Sequence, residues 1–546
     1  MDALEPRPAR SAHRPLSRRS LLAGGLGAGT VAAAGLAAPS AAFASSDDAS
    51  ANGLRTDPFT LGVASGDPWP DGFVLWTRLA LDPLAEDGLG GMPPRPVEVQ
   101  WEVAEDAAMR AVVARGTAVA LIEDAHSVHV ELMGLRAGRE YFYRFRAGRH
   151  LSAVGRTLTA PAPHEMPAAL TMSFASCAQY EHGYFTAYRR MAEDQPDLIL
   201  HLGDYAYEYR KNVYTLPGGN IRHHDGPETV TLAGYRQRHA QYKSDADLQA
   251  AHAMAPWAVV WDDHEVDNNW AAGIPENSDP GQMNDTAARF LERRAAAFKA
   301  YYENMPLRAS AAAVGSDMQI YRRLAWGRLA NFHMLDTRQY RDDQLAGDGW
   351  RENVSERFAE SRTITGAAQE RWLLDGFRAS EARWDVLGQQ VFFSERDRDR
   401  PLEVDDVSMD GWDGYAASRR RITQGWIDAG VRNAVVLTGD VHRHWASDIR
   451  VDFKDTDAPV VGSELVCSSV TSNGDGSGST TSSMMEWNPH LKYYSDRRGY
   501  VRTRITASSM SADFRVLDRV STPGAAATTQ ASFEIADGTP GLVPTA

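Results

Sequence analysis

From about residue 170 onwards, short apolar runs alternate with longer stretches whose apolar positions recur at helical spacing. One of these longer stretches is Asp285–Met305, which is rich in Ala, Arg, Phe and Glu. Short apolar runs separated by helical stretches are typical of a layered α/β domain with buried strands. We assign this domain to residues 168–520, and we predict strands at Leu170–Ala175, Leu198–Leu202, Ala258–Trp261, Leu329–Leu335, Trp384–Leu387 and Ala434–Leu437.

Residues 56–160 have a different pattern, in which short runs of strand-forming residues are separated by Gly, Pro and Asp. Phe73–Thr77 and Val97–Val103 are two such runs, and Leu132–Phe145 alternates aromatic residues with others after a glycine-containing turn. This alternation is typical of half-buried antiparallel strands. The length suits a β-sandwich of the immunoglobulin or fibronectin type. The proline-rich residues 160–167 are the natural linker to the α/β domain.

Two polar segments near the C-terminus lack a clear periodicity. Thr471–Ser483, with the sequence TSNGDGSGSTTSS, is of low complexity, and we predict a mobile loop there. Residues 521–546 are polar and rich in Ala, Gly and Thr, and we predict a loosely held tail.

The first 44 residues are predicted to be a signal peptide and not part of the fold. Arg18 and Arg19 directly precede an Ala/Gly/Leu stretch, and Ala42-Phe43-Ala44 offers a small-x-small cleavage site. Paired arginines before a weakly apolar core are typical of Tat signals, so the Tat translocase is an expected partner during export. A tethering transmembrane helix is disfavoured because the Gly-rich run is only marginally apolar. No Cys follows the cleavage site, so no permanent anchor is expected. The predicted location is periplasmic, cell-wall-associated or extracellular.

The net charge of the chain limits the kinds of molecule that the protein is expected to bind. The formal net charge is −15, from 72 acidic and 57 basic residues, and removal of the predicted signal peptide brings it near −18. Such a surface argues against a stable nucleic-acid partner, which would need phosphate neutralisation, although it leaves a local basic pocket open. The two cysteines, Cys177 and Cys467, lie 290 positions apart, and we expect no disulfide between them.

Four of the apolar runs end in side chains that can bind metal ions. In an open α/β sheet, ligands bind beyond the carboxyl ends of the strands, so these side chains should lie close together. One Asp after a strand is most often a helix cap, but four endings of this type in one domain indicate a shared site. Gly203 and Gly439 permit the tight turns that direct the next residue into it. The four endings are Ser176-Cys177, Gly203-Asp204-Tyr205-Ala206-Tyr207, Asp262-Asp263-His264-Glu265 and Gly439-Asp440-Val441-His442.

The donor types limit the metal and the reaction. Thiolate, phenolate and carboxylate suit a trivalent Lewis-acidic ion, and neighbouring carboxylates suit a hard divalent ion such as calcium. Two ions bridged by one carboxylate would clamp a phosphoryl group and lower the pKa of a bound water, which indicates hydrolysis of a phosphate ester. The spacing does not distinguish among Tyr205, Tyr207 and Tyr209 as the ligand. A lone Cys177 after a strand would usually be a buried apolar residue, but beside the other three endings a metal ligand is favoured.

The motifs LILHLGDYAYEY, WDDHEVDNNW and LTGDVHRHW resemble the signature blocks of the PhoD-type alkaline phosphatases, within the metallophosphoesterase superfamily. Supporting stretches such as FTLGVASGDP, DTRQYRDDQ and WDGY extend the resemblance over nearly the whole mature chain. It implies an exported phosphatase and phosphodiesterase with a calcineurin-like core, a β-sandwich flanked by helices. The expected cofactors are Fe³⁺ and Ca²⁺, with Zn²⁺ or Mn²⁺ less favoured.

The resemblance also implies roles for individual residues. Cys177, Asp204 and Tyr207 resemble the ferric ligands, and Asp204 is expected to bridge to calcium. His264 is expected to bind the phosphoryl oxygen or to protonate the leaving alcohol, and Arg338 either contacts a phosphate oxygen or anchors Asp336. Beyond these, the remaining expected ligands are Asp263, Asp440 and His442. Secondary expectations are a loop wall at Asn268–Trp270 and support of the site by Gln389 and Gln390. His444 could be a ligand, but a supporting or surface role is favoured.

Three functions are consistent with these observations. The first is a phosphomonoesterase and phosphodiesterase that acts as a monomer on small or polymeric phosphate esters outside the cytoplasm. The second is the same metal site used as a phospholipase D-like enzyme or a nuclease. The third is a non-catalytic exported protein whose β module binds cell-wall polymers, which is disfavoured because a binding protein does not need such a metal site.

Overall fold

A computed structural model describes residues 54–276, 286–398 and 404–545; the predicted signal peptide lies outside these residues. In the described part of the chain no helix is long and apolar enough to cross a membrane. The first strands and helices are β1 (Val63–Trp69), β2 (Gly72–Arg78), β3 (Val97–Ala104), β4 (Val112–Ala120), β5 (Ser127–Leu132), β6 (Glu140–Ala147), β7 (His150–Leu151), β8 (Gly155–Leu158), β9 (Leu170–Ala175), α1 (Thr186–Glu193), β10 (Leu198–Leu202), α2 (Leu232–Lys243), α3 (Ala246–Met254) and β11 (Pro256–Val260).

The remaining elements are α4 (Ala287–Asn304), β12 (Arg322–Trp326), β13 (Ala330–Met334), β14 (Trp350–Glu352), α5 (Gly366–Ala379), β15 (Trp384–Gly388), β16 (Asp406–Ser408), α6 (Ala416–Asp428), β17 (Ala434–Thr438), β18 (His444–Arg450), β19 (Val460–Val466), β20 (Leu491–Ser495), β21 (Gly499–Ile505), β22 (Ser509–Leu517), β23 (Ala527–Ala536) and β24 (Thr539–Thr545). The six apolar runs predicted as strands are β9, β10, β11, β13, β15 and β17, and the predicted helix over 285–305 is α4. The mixed α/β prediction is confirmed.

Two large sheets form the body of the protein. The first has ten strands in the order β24-β23-β22-β21-β9-β10-β11-β1-β2-β5, and the second has seven in the order β12-β13-β15-β17-β19-β18-β20. The central strands β9, β10 and β11 are parallel, as are β13, β15, β17 and β19. Buried side chains of both sheets, among them Phe174, Leu200, Val386 and Leu437, share one apolar core. Such two-sided burial explains why these strands are apolar throughout and do not alternate.

The predicted separate sandwich over residues 56–160 needs correction. Strands β1, β2 and β5 continue the ten-stranded sheet, because β1 pairs in parallel with β11 at Ser65 and Pro256. Strands β3, β4, β6, β7 and β8 form a smaller sheet of their own. Side chains of both layers, such as Phe73 and Trp101, do share a core. The pairing with β11 satisfies backbone groups that would be exposed on an edge strand, so this layer is not independent of the α/β sheet.

The predicted loose tail over residues 521–546 is wrong. Its strand β23 pairs with β22 and β24 pairs with β23, so the segment forms one edge of the ten-stranded sheet. The composition is polar, but Phe533 and Ile535 alternate with exposed residues and are each 3% exposed. Leu542 is also buried, and its amide donates to Asp448 at 2.9 Å. Two inward-facing side chains in one strand were too weak a pattern to outweigh the polar composition.

Candidate metal centre

Four strand ends meet at one edge of the two sheets, as the sequence predicts. The segments that follow β10, β11 and β17 line a cavity of about 220 Å³. Cys177, after β9, adjoins this cavity, because its ligand atom lies within 4.8 Å of those of the lining residues Asp204 and His442. The cavity is strongly polar, and its lining combines carboxylates, imidazoles, amides and phenols. The lining residues are Asp204, Tyr209, Tyr214, Asp263, His264, Asn268, Asn269, Asp440 and His442.

The backbone at these strand ends is held in unfavourable conformations. Cys177, Asp204, Asp440 and His442 have positive φ angles of 61°, 54°, 64° and 53°. Residues other than glycine rarely adopt positive φ angles. Residues strained in this way are concentrated at functional sites, where the surrounding fold stabilises them. Gly203 has φ +103°, and a Cβ there would lie 2.5 Å from the Asp262 backbone nitrogen. The turns that direct these side chains inward therefore depend on the packing around them.

Two overlapping groups of side chains could hold metal ions. Potential ligand atoms of Cys177, Asp204 and His442 lie within 4.8 Å of one another, and those of Asp204, Asp263 and His264 do so as well. Asp204 belongs to both groups, which is the arrangement that a bridging carboxylate requires. Its Oδ1 atom is buried and has no hydrogen-bond partner among the residues that the structure describes. The donor types and this unpartnered oxygen fit a pair of cations.

Tyr207 is the tyrosine that the fold brings to the first group. Its hydroxyl donates to Asp204 Oδ2 at 2.8 Å, and it also lies 2.7 Å from Ser472 Oγ and 3.2 Å from His442 Nε2. The hydroxyl of Tyr205 instead lies 2.9 Å from His252 Nε2 in the core, and Tyr209 lines the cavity. Of the three phenols, Tyr207 is therefore the one that contacts the first group, and its role as a metal ligand stays a prediction.

The electrostatics of the first group favour a cation. Burial, together with the charge of Asp204, raises the pKa of both Cys177 and Tyr207 well above their ordinary values. Burial raises the pKa of Asp204 well above its usual range as well. In contrast, burial and the charge of Arg498 lower the pKa of His442, so its imidazole is neutral and able to bind a metal. A bound ion would favour the anionic donor forms that burial disfavours.

The remaining predicted ligands, Asp263 and Asp440, differ in position. Asp263 belongs to the second group, whereas Asp440 lies on the cavity wall outside both groups. Burial would raise the pKa of Asp263, but Arg338 and His264 lower it well below its usual range. For Asp440, burial and the nearby Asp262 raise the pKa well above that range. Asp263 is therefore ionised, and a neighbouring cation would favour the ionised form of Asp440.

His264 is held by a carboxylate that the sequence analysis missed. Its Nδ1 atom lies 2.8 Å from Glu208 Oε2, and its ring stacks on Tyr207 with the ring centroids 4.1 Å apart. Burial would lower the pKa of His264, but Glu208, Asp263 and Asp204 raise it well above 6.5. The imidazole is therefore protonated near neutral pH. A single glutamate within the aromatic run YAYEY was the available signal.

The prediction that Arg338 contacts substrate is wrong. Its guanidinium is fully buried, and it donates to Asp262 Oδ1 at 2.6 Å and to the two carboxylate oxygens of Asp410 at 2.7 and 3.1 Å. The alternative of an anchor for Asp336 is also wrong for the side chain, because only the Arg338 amide reaches that carboxylate. Arg338 is saturated by carboxylates, and the cavity residue Asp263 also lies 3.7 Å from its Nη2 atom. It stabilises the acidic segment after β11.

Glu265, the last residue of the strand ending Asp262-Asp263-His264-Glu265, supports the turns themselves. The oxygens of Glu265 accept from the backbone amides of Asp204, Tyr205 and Asp262 at 3.0, 2.6 and 2.8 Å. Burial raises the pKa of Glu265 to about 8. This residue ties the end of β10 to the end of β11 and is a structural element of the site.

The segment Thr471–Ser483 is also not the mobile loop that its composition predicts. Thr471 and Ser472 are fully buried, and Ser472 Oγ donates to the Cys177 carbonyl at 2.9 Å. Farther along, Asp496 accepts from the amides of Ser477 and Gly478, both at 2.8 Å. The small residues allow close approach of this segment to the strand ends. The segment thereby places Ser472 Oγ within hydrogen-bond distance of the Tyr207 hydroxyl.

The structure agrees with only some of the predictions for residues around the site. Asn268 and Asn269 line the cavity, but Trp270 is buried in the core. His444 is buried and accepts from the Ser468 amide at 3.0 Å, so it is not a surface residue. The Gln390 carbonyl accepts from the Gly439 amide at 2.8 Å, and Gln389 Nε2 donates to Thr438 at 2.6 Å. Both glutamines therefore support the turn after β17.

The fold and the site together define a class: a layered α/β protein with a candidate two-metal centre at the carboxyl ends of its parallel strands. Residues 172–514 match the family model of the PhoD-like phosphatases, and residues 44–161 match the model of the N-terminal domain of these phosphatases. Alkaline phosphatase D of Bacillus subtilis (strain 168) is 50% identical over 478 residues, covering 87% of this chain and 80% of the relative.

A solved structure of PhoD superposes with a TM-score of 0.86 at 49% sequence identity, covering 90% of this chain and 93% of that one. The chain therefore belongs to the PhoD-like phosphatase family. The prediction of a phosphoric ester hydrolase of the PhoD type is confirmed.

Proposed function

We propose that this protein is an exported, metal-dependent phosphatase that cleaves both phosphomonoesters and phosphodiesters. The observation that carries the proposal is the position of Asp204, which is shared by two ligand groups beside a polar cavity. The similarity to alkaline phosphatase D supports the reaction class. The finer fold expectation, a calcineurin-like core, agrees with two sheets whose parallel strands end at the site.

The candidate ligands form two sets, each suited to a different cation. Cys177, Tyr207 and His442, together with Asp204, would hold Fe³⁺, because thiolate and phenolate donors suit a trivalent ion. Asp204 and Asp263, with Asp440 from the cavity wall, would hold Ca²⁺ through oxygen atoms. Bound ions would supply positive charge to the phosphoryl oxygens and lower the pKa of a water molecule.

The chain's own contribution to bond cleavage is a proton for the departing alcohol. His264 lines the cavity, and its Nδ1 atom is occupied by Glu208 at 2.8 Å. This contact fixes the ring orientation and leaves Nε2 as the atom that can give a proton to the leaving oxygen. The protonated state favoured by Glu208 matches that role, because a general acid must carry its proton before the bond breaks.

The proposal includes export by the Tat route and action as a monomer on phosphate esters, without a nucleic-acid partner or permanent anchor. The paired Arg18 and Arg19 support the export route, and the net charge of −15 is unfavourable for binding nucleic acid. Export of the folded protein would allow the cations to be fitted before the membrane is crossed.

The decisive experiment is the metal content and activity of the protein purified after native export. We expect about one iron and at least one calcium per chain by elemental analysis, with hydrolysis of both p-nitrophenyl phosphate and bis(p-nitrophenyl) phosphate. The variant Asp204→Asn should lose both the metal and the activity. Asp385→Asn is the matched control, because Asp385 is a buried carboxylate that binds His333 at 2.9 Å within the sheet.

The outcomes separate the parts of the proposal. Zinc or manganese without iron would retain the hydrolase but contradict the assignment of Cys177 and Tyr207 to iron. Full activity of Asp204→Asn would contradict the site itself. Hydrolysis confined to diesters would favour the phospholipase D-like or nuclease use of the same centre.

A further inference from the structure

Two arginines beside the cavity carry charges that no acidic partner neutralises. Within the described residues, neither Arg396 nor Arg443 makes an ion pair. Arg396 also makes no side-chain hydrogen bond there, and its Nε atom is buried without a partner. Arg443 donates only to neutral oxygens, the Tyr494 hydroxyl at 3.2 Å and the His442 carbonyl at 2.8 Å. Buried polar groups are normally paired, so these two require an explanation.

The two arginines are connected by an aromatic platform, which we define as Trp350, Phe392, Trp445 and Tyr494. The Arg396 guanidinium lies 4.7 Å from the Phe392 ring centroid and 5.1 Å from that of Trp350. Phe392 contacts Trp445 at 6.0 Å between centroids, and Trp445 contacts Tyr494 at 4.7 Å. Tyr494 in turn contacts Arg443. The platform restrains Arg396 through its ring faces without using a hydrogen-bond donor, and it restrains Arg443 through the hydrogen bond from Nε to Tyr494.

The platform adjoins the metal centre. Val441 packs against the cluster formed by Phe392, Trp445 and their neighbours, and it lies between the cavity residues Asp440 and His442 in the chain. Arg443 is anchored directly on the His442 carbonyl. Both arginines are partly exposed, as are Trp350 and Tyr494, so their free donors are accessible to a ligand.

The acidic groups around Arg396 are already occupied. Asp413 accepts from Arg419 at 2.6 Å, and Glu464 accepts from the amides of Phe393 and Ser394, both at 2.8 Å. The remaining one, Asp440, is an expected metal ligand and lies beyond ion-pair distance of Arg396. Among the described residues, no side chain nearby is therefore free to neutralise this guanidinium, and an anionic ligand could do so.

Arg398 provides a comparison on the same platform. Its guanidinium lies 4.9 Å from the Trp350 centroid, but it pairs with Asp406 at 2.7 Å. Stacking on Trp350 is therefore compatible with an ordinary ion pair. The absence of an ion pair at Arg396 among the described residues is therefore not a consequence of the stacking.

We propose that Arg396 and Arg443 form an anion subsite beside the metal centre, which binds a second phosphate group on the alcohol part of the substrate. This inference rests on the proposed phosphatase function. Guanidinium groups bind phosphate through paired N–H donors, and such charge-assisted bonds are about twice as strong as neutral ones. The subsite would make the enzyme prefer esters that carry a second phosphate a short distance from the one being cleaved.

The test compares two substrates with the same ester bond, 1,3-propanediol monophosphate and 1,3-propanediol bisphosphate. We expect the natively exported enzyme to have about tenfold or greater kcat/KM for the bisphosphate, beyond the statistical factor of two for its two phosphates. The preference should shrink as sodium chloride rises, because salt screens exposed charges. Arg396→Ala and Arg443→Gln should each reduce the ratio of the two kcat/KM values towards two, and Arg398→Ala should leave it unchanged.

Each outcome decides the proposal. A ratio that falls in both subsite variants and not in Arg398→Ala supports it. A wild-type ratio near two, or an equal loss for both substrates in the variants, overturns the subsite and leaves the phosphatase function intact. Failure of the wild type to hydrolyse either substrate overturns the phosphatase function and the subsite together. If Arg396→Ala does not fold, the Arg443→Gln variant and the salt dependence of the wild type still decide the question.

Discussion

Replacing Glu208 by Gln tests whether the carboxylate beside His264 contributes to catalysis. Glu208 is 1% exposed, and its two oxygens accept from the Asn268 amide at 3.0 Å and contact His264 Nδ1 at 2.8 Å. Glutamine has nearly the same shape and keeps one carbonyl oxygen, so the packing is retained. The change removes the negative charge that favours the protonated imidazole.

The magnitude follows from the kind of hydrogen bond that is lost. A hydrogen bond to a charged group contributes about 1.5–3 kcal/mol, more than a neutral one at about 1 kcal/mol. Replacing one by the other should therefore cost roughly 1–2 kcal/mol in the transition state, or about 5–30-fold in rate. The loss should be concentrated in the step that needs a proton, because His264 would hold its proton less strongly and be less well oriented.

The assay measures kcat for two esters with different leaving groups. An alkyl phosphate such as glycerol phosphate releases a strongly basic alkoxide and needs protonation. In contrast, p-nitrophenolate leaves readily without it. Glu208→Gln should slow hydrolysis of the alkyl ester by about 5–30-fold and that of p-nitrophenyl phosphate by much less. The upper pH limit of activity on the alkyl ester should also shift downwards.

The control is Glu265→Gln, which changes another buried carboxylate of the same segment. Glu265 accepts three backbone amides and does not contact His264. Its replacement should lower the melting temperature and slow both esters equally. Equal slowing of the two esters by Glu208→Gln, with an unchanged pH limit, would refute a role in proton transfer and leave Glu208 as a structural residue.

Three further predictions concern the metal, the backbone and the pH dependence of stability. Tyr207→Phe should reduce the iron content and any phenolate-to-iron colour, whereas Tyr205→Phe should keep both; retention of iron and colour by the first variant would contradict the assignment. Gly203→Ala should cost about 1–3 kcal/mol of unfolding free energy, because φ is +103°, while Gly218→Ala, where a side chain would meet nothing within 4 Å, should be nearly neutral by urea unfolding. Burial lowers the pKa of His201 to about 3, so the unfolded chain takes up this proton first. His201 should therefore lower the free energy of unfolding by up to about 1.4 kcal/mol for each pH unit as the pH falls from about 6.5 towards 3. The dependence of the unfolding free energy on pH should be weaker in His201→Gln.

Some predictions from the sequence agree with the structure because they depend only on the local sequence pattern. The bounds predicted for β9 and β10, Leu170–Ala175 and Leu198–Leu202, agree with the structure, because strands buried on both faces must be apolar throughout. The polar groups after β9, β10, β11 and β17 could be expected to meet, since parallel strands end at the same edge of a sheet. A local pattern was therefore sufficient to locate the site along the chain.

The identity of each partner was decided only by the tertiary structure. The Tyr207 hydroxyl meets His442, which lies 235 positions away, and no spacing within YAYEY distinguishes it from the hydroxyls of Tyr205 and Tyr209. Arginine is a typical phosphate ligand, but the fold brings Asp410, 72 positions later in the chain, into contact with the Arg338 guanidinium. A charged side chain acts according to the charges that surround it after folding. Sequence thus determined which chemical groups reach the edge of the sheet, and long-range packing determined which of them are free to act.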